Sequence, residues 1–304
     1  MEAGTFMTKS GEISSSAGER PVAHLFAGQG AQRVGMGASD LERWPERVEA
    51  ASDLLGYSVR SRCLEGPADL LASTDVTQPL LYVVECLSFD TWRAEGAESE
   101  TVLAGHSLGE FAALYAAGAY DFVEGLRVVR ERGRLMKAAA NGAMAAVARV
   151  PVEDVQALVA EGVVPGLEVA NINAPTQCVV SGPPHAVADE GLAARIAALG
   201  GRLVRLKVGG AFHSSLMLDA QQQFATFLAG VELAPLGATV LSNVTGEPMP
   251  STGYRELLVR QLASPVQWRA CCTWLRRAGI EDGDVVEHGP GSTLTKLYQQ
   301  NGAA

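Results

Sequence analysis

Aromatic residues make up only 6% of the 304-residue chain, and 24 Lys and Arg stand against 34 Asp and Glu. The resulting net charge of −10 leaves no evident basic face for phosphate neutralisation, which argues against nucleic acid as a partner. No apolar run approaches the roughly 20 residues that a membrane span needs. Residues 1–20 are rich in Ser, Gly and Glu and contain no apolar signal core, so they are expected to form a mobile leader on a cytoplasmic protein. Cysteine is scarce. Cys63, Cys86, Cys178, Cys271 and Cys272 are odd in number and lack C-x-x-C spacing, which predicts neither a disulfide framework nor a zinc site. They are expected to be small buried apolar residues.

What the chain does have is Leu, Val and Ala, with 47% hydrophobic residues overall, enough for an ordinary packed globular protein. Its length fits one large domain, or one carrying a smaller one. Val22–Phe26 is a short apolar run ending at Gly28, the pattern of a buried strand. Residues 78–93 place Leu80, Leu81, Val84 and Leu87 at helical spacing. A second buried strand, residues 101–104, precedes an Ala- and Leu-rich helical stretch from Glu110 to Ala119. Strands alternating with helices predict a mostly parallel sheet covered on both faces.

The rhythm then changes. Strands are predicted at 143–150, 167–172, 178–181 and 202–208, with helices at 152–160 and 186–199. The order β-α-β-β-α-β is that of a ferredoxin-like unit. A small domain, residues 142–208, is therefore expected inside a larger one formed by 21–141 and 209–304, which regains strands at 239–242 and 284–287.

Gly105-His106-Ser107-Leu108-Gly109 is G-x-S-x-G between a predicted strand and a predicted helix. Its glycines allow the sharp turn that lifts a serine off the sheet edge, at a helix N-terminus whose free N–H groups can hold an oxyanion. Ser107 is thus a candidate nucleophile. It needs a base, and the chain has five histidines. His106 should point away from the serine, His24 and His288 belong to strands, and His185 is expected on the surface. His213 remains, in Gly209-Gly210-Ala211-Phe212-His213-Ser214, a loop between a strand and a helix that is expected to be flexible. A positioned histidine base contributes ~10²–10⁴-fold. No acid falls where a Ser-Asp-His order requires one, so a dyad oriented by a backbone or amide oxygen is expected.

The loop Gly28-Gln29-Gly30-Ala31-Gln32 fails as a nucleotide motif. It lacks the Gly-Lys-Ser/Thr ending, and Arg33 stands where a dinucleotide site needs a third glycine. A close approach to Ser107, offering a second oxyanion donor, fits it better.

These motifs occur together and in order with Glu110, Arg132-Gly133 and Gly289-Pro290-Gly291. The set resembles the malonyl-CoA:acyl carrier protein transacylases and the discrete acyltransferases that serve polyketide synthases in trans, over residues 22 to about 300. The resemblance implies an α/β fold, with an α/β-hydrolase-like large domain and an inserted ferredoxin-like small domain. It also implies Ser107 as nucleophile, His213 as base, and the backbone N–H groups of Gln29 and Leu108 as oxyanion hole. Arg132 matches the arginine that grips the extender carboxylate, Gln261 the glutamine whose main-chain oxygen orients the histidine. On residue type alone, the Arg-rich run 127–134 reads equally as a solvated helix face. Phe212, just before the histidine, goes with malonyl in this family, where a small residue goes with methylmalonyl.

The implied reaction is ping-pong acyl transfer from malonyl-CoA to the phosphopantetheine thiol of an acyl carrier protein, with no metal and no redox cofactor. Two rivals stand beside it, a thioester hydrolase of the same fold and a non-catalytic docking protein. Arg202, Arg205, Lys207, Arg276 and Arg277 are candidates for a basic patch facing an acidic carrier protein.

Overall fold

The computed structural model describes residues 21–96, 101–139 and 141–302. The leader expected at 1–20 lies outside the described residues. The described residues form two four-stranded sheets. The first is parallel, in the order β7-β2-β1-β8, from β1 (Val22–Phe26), β2 (Thr101–Gly105), β7 (Thr239–Leu241) and β8 (Val285–His288). The second is antiparallel, in the order β4-β5-β3-β6, from β3 (Ala143–Ala148), β4 (Glu168–Ala174), β5 (Gln177–Gly182) and β6 (Arg202–Arg205). Its outer strands are the second and fourth of the unit, the arrangement of a ferredoxin-like sheet. The expected mixed α/β fold class is therefore found.

Both faces of the parallel sheet are covered, which explains why its strands read as unbroken apolar runs. Leu103 and Phe26 face one core, shared with the Thr74–Ala94 and Phe122–Ala138 helices. Leu25, Val102 and Ala104 face the other, against Trp268, Leu275 and Tyr298. A third core backs the antiparallel sheet with Val147, Val180, Leu192 and Ile196. All five cysteines are buried, and all five lie inside these packed layers: Cys63 and Cys86 in the first, Cys271 and Cys272 in the second, Cys178 in the third.

Element ends differ from the sequence reading for local reasons. The helix expected from 78 starts at Thr74, because its first turn carries polar Thr74, Asp75 and Thr77 that hide the apolar period. The helix expected over 186–199 breaks into Pro184–Val187 and Glu190–Ala198. Asp189 Oδ1 accepts from the Leu192 N–H at 2.7 Å and caps the second piece. The strand expected over 202–208 pairs only to Arg205, after which Leu206 keeps one bond to the Met144 carbonyl and the chain turns into the cleft.

Candidate active site

β2 ends in a turn that only glycine can line. A Cβ on Gly105 would lie 1.9 Å from the Gly109 carbonyl carbon, and one on Gly109 would lie 2.0 Å from the Phe26 carbonyl oxygen. These close approaches force Ser107 into the left-handed region, at φ 54°. Such backbone strain persists where surrounding structure over-determines it. Here Ser107 N–H donates to Asn243 Oδ1 at 2.6 Å, and Gln261 Nε2 donates to the Ser107 carbonyl at 2.9 Å. The serine is thereby held at the start of the Gly109–Ala116 helix.

His213 meets it from the far side of the cleft, with Ser107 Oγ 2.7 Å from His213 Nε2. The other ring nitrogen, Nδ1, lies 2.9 Å from the Gln261 main-chain oxygen. With Nδ1–H donating there, Nε2 is left free to accept the serine proton. Among the described residues no carboxylate is hydrogen-bonded to the imidazole. Burial and the nearby Arg132 cation push the imidazole down to about 3, so it stands neutral at physiological pH. The loop is tied down more firmly than its glycines promised. His213 has φ 58° and its N–H donates to Leu262, while Ser214 Oγ donates to the Ala211 carbonyl at 2.6 Å.

Arg132 lies on the buried face of the Phe122–Ala138 helix and is fully inaccessible, whereas Arg127, Arg130 and Arg134 of the same run point to solvent. Its Nη1 donates to Gln78 Oε1 at 2.7 Å, and its Nη2 to Gln261 Oε1 at 2.8 Å and Ser107 Oγ at 3.1 Å. The guanidinium stands over the Phe111 ring, 5.2 Å from its centroid. Among the described residues no carboxylate forms an ion pair with it, and its Nε has no hydrogen-bond partner. Burial pushes the group down to about 9, still a cation at neutral pH. Glu110 is the acid nearby. Burial pushes its carboxyl up to about 8, so it offers little countercharge.

The remaining expected residues surround the same space. Gln29, Leu108 and Phe212 line a cleft of about 330 Å³ together with Ser107, Arg132 and His213. Met144, Ala146 and Val179 of the antiparallel sheet form its opposite wall. His106 turns from the serine toward that wall, where its Nε2 lies 2.9 Å from Asn173 Oδ1. His24 and His288 are buried partners of each other at 2.8 Å, away from the cleft, and His185 is exposed.

The Ser107 hydroxyl is thus shared between the His213 imidazole and a buried cation. Residues 23–303 match the acyl transferase domain family. The chain belongs to this family. It is 42% identical to the polyketide biosynthesis protein ThaF of Burkholderia thailandensis over 280 residues, 91% of this chain and 24% of that much longer protein. The polyketide biosynthesis malonyl CoA-acyl carrier protein transacylase PksC of Bacillus subtilis is 36% identical, over 92% of this chain and 96% of its own. Among solved structures, the malonyl CoA-acyl carrier protein transacylase of Burkholderia pseudomallei superposes with a TM-score of 0.85 at 39% identity, covering 93% of this chain and 97% of that one. A type II PKS acyl-carrier protein in complex with its malonyl-transacylase matches with a TM-score of 0.86 at 32% identity, over 93% of each chain.

Sequence reasoning missed several residues of this acyltransferase site. Asn243 joins the elbow from the end of β7, with Nδ2 donating to the Gly105 carbonyl and its N–H to Glu110 Oε2, each at 2.6 Å. Gln78 holds one arm of Arg132, and the Gln261 side chain, not only its backbone, braces the other. Only Gln78, beside a proline inside its helix, and Asn243, just past the end of β7, could have drawn notice. The five basic candidates do not form one patch. Arg202 and Arg205 lie on β6, one edge of the antiparallel sheet. Arg276 and Arg277 lie on the Trp268–Arg277 helix, which packs by β4 at the opposite edge. Arg276 is also engaged with Asp282 and stacked on Tyr298.

Proposed function

We propose that the chain moves a malonyl group from CoA to the phosphopantetheine thiol of an acyl carrier protein through an ester on Ser107. The carrying observation is the Ser107 hydroxyl, shared between His213 Nε2 at 2.7 Å and the buried, carboxylate-free Arg132 at 3.1 Å. A carboxylate entering the cleft would replace part of Arg132's amide contacts with parallel charge-assisted hydrogen bonds. An uncharged acyl chain would leave that cation unpaired, which disfavours the hydrolase reading.

In the first half-reaction Ser107 Oγ attacks the thioester carbonyl while His213 Nε2 takes its proton. The backbone N–H groups of Gln29 and Leu108 hold the oxyanion, a contribution of ~10²–10³-fold per donor. The C–S bond breaks and the proton passes from His213 to the departing CoA thiolate. In the second half the carrier-protein thiol gives its proton to His213 and attacks the Ser107 ester, and the serine is restored by that proton. Gln261 O keeps the imidazole in the required tautomer throughout. Phe212, almost fully buried in the cleft wall, narrows the room beside the acyl C2 and selects malonyl over branched units. Residues 142–208 act as the inserted small domain that closes the cleft against 21–141 and 209–304.

The partners are malonyl-CoA and a phosphopantetheinylated carrier protein, in supply of extender units for polyketide or fatty acid assembly. The setting is the cytoplasm, whose reducing poise suits five buried free thiols. Among the described residues no helix is long and apolar enough to cross a membrane. The test is intact-protein mass after mixing with malonyl-CoA, and again after adding holo carrier protein. A malonyl adduct absent from Ser107→Ala and discharged to the carrier protein is expected. Discharge to water at the same rate without carrier protein would establish the hydrolase instead.

A further inference from the structure

The histidine loop and the segment that orients it are both fastened to one strand of the opposite sheet. β4 forms a backbone bridge to the stretch just after Gln261, in which Ile172 N–H donates to the Val266 carbonyl and Val266 N–H to the Ala170 carbonyl, each at 2.9 Å. Two residues before Ala170, the Glu168 side chain reaches the stretch just after His213. Its Oε1 and Oε2 accept from the Ser215 N–H at 3.0 and 3.1 Å, and Oε1 also accepts from Ser215 Oγ. Glu168 thus takes the first N–H of the short 3₁₀ turn Ser215–Met217 that follows the histidine. His213, two residues before Ser215 and bonded through Nδ1 to the Gln261 carbonyl, is in the left-handed region at φ 58°, a conformation that surrounding structure must hold.

We infer that Glu168 is a positioning residue for His213: β4 is a splint that fixes both segments around the imidazole, and the Glu168 carboxylate is its side-chain half. This rests on the reading of His213 as the base. It adds that the small sheet, besides walling the cleft, sets the aim of the base on Ser107. The residue is half-buried, is not among those that line the cleft, and its hydrogen bonds go to Ser215 on the exposed side, so its loss bears on the histidine loop. A misaimed base slows proton transfer and leaves the malonyl-CoA contacts at Arg132 in place.

The experiment measures the rate of Ser107 malonylation by rapid quench against malonyl-CoA concentration, in wild type, Glu168→Ala, Glu168→Gln and Ser215→Ala. Glu168→Ala is expected to lower the limiting rate about tenfold, with half-saturation unchanged within about twofold, since small misplacements of catalytic groups cost up to ~10²-fold. Glu168→Gln keeps an oxygen that can accept both Ser215 bonds and is expected to recover most of the rate. Ser215→Ala combined with Glu168→Ala should cost less than the two losses multiplied. Thermal midpoints run alongside. An unchanged limiting rate in Glu168→Ala, or a loss that follows the midpoint and is not rescued by Glu168→Gln, overturns the positioning role. Failure of the underlying reading looks different: wild type itself would take no malonyl group, or His213→Ala would take it as fast.

Discussion

Replacing Arg132 by Ala separates the clamp from the scaffold, because the same guanidinium does two jobs. It would hold the malonyl carboxylate, and it braces Gln78, Gln261 and Ser107 Oγ. Removing one partner of a buried charge pair costs about 3–5 kcal/mol, which at 1.4 kcal/mol per decade is roughly one hundred- to four thousand-fold in the rate constant for malonyl-CoA. Acetyl-CoA brings no carboxylate, so it feels only the loosened scaffold. Two unpaired amide oxygens and a freer serine, at ~1–3 kcal/mol for each buried group left unsatisfied, slow both substrates alike and so cancel from their ratio. The malonyl-to-acetyl ratio is therefore expected to fall by about 10²-fold or more in Arg132→Ala. The assay is rapid-quench acylation of Ser107 with each acyl-CoA on the same protein preparation, read by intact mass, so that misfolding cancels from the ratio. Equal losses for both substrates, leaving the ratio unchanged, would refute the clamp and reduce Arg132 to a support for the nucleophile.

Phe212→Ser should open the space beside the acyl C2, raising methylmalonyl relative to malonyl transfer by about 10–100-fold, since one methyl group is worth ~1–3 kcal/mol; competition between the two CoA esters measures it, and an unchanged preference places the selection elsewhere. Stability should peak near pH 6.5. Burial pushes His24 down to about 4 and His288 and His213 to about 3. Below pH 6.5 the unfolded chain therefore takes up protons that the fold refuses, and stability is lost as pH falls. Burial raises Glu110 to about 8 and also raises Glu85. Their contribution is full below about 4.5 and is lost as pH rises through their folded values. His106 is lowered by burial as well, so the histidines outweigh the two carboxyls and stability falls on acidification from pH 6.5 toward pH 5. Urea midpoints from pH 5 to 8.5 test this, and a curve that rises or falls monotonically contradicts it.

Much of the site was legible because its determinants are local. G-x-S-x-G between a strand and a helix announces the elbow, since the two glycines are demanded by contacts that the turn makes with itself and with the neighbouring strand. Arg132 was ambiguous on residue type. Its place in the stripe of Gly125, Val128, Val129, Gly133 and Met136, at spacings of three and four, carries the burial that decides the matter. Isolating His213 required excluding the other histidines, and the structure leaves it beside Ser107.

By itself, then, the sequence determined the alternation of strands and helices, the order of the ferredoxin-like unit, the elbow and the candidate nucleophile and base. Periodicity and turn chemistry act over a few residues and leave their mark in a few residues. Tertiary structure alone decided what holds those side chains. Asn243 reaches Ser107 across 136 positions, the Gln261 side chain joins Arg132 across 129, and Glu168 ties the histidine loop across 47. An amide or carboxylate becomes a brace only where sheet register and helix packing bring a donor within 3 Å. No local pattern marks that, and the same packing scattered the five basic residues that looked like one patch.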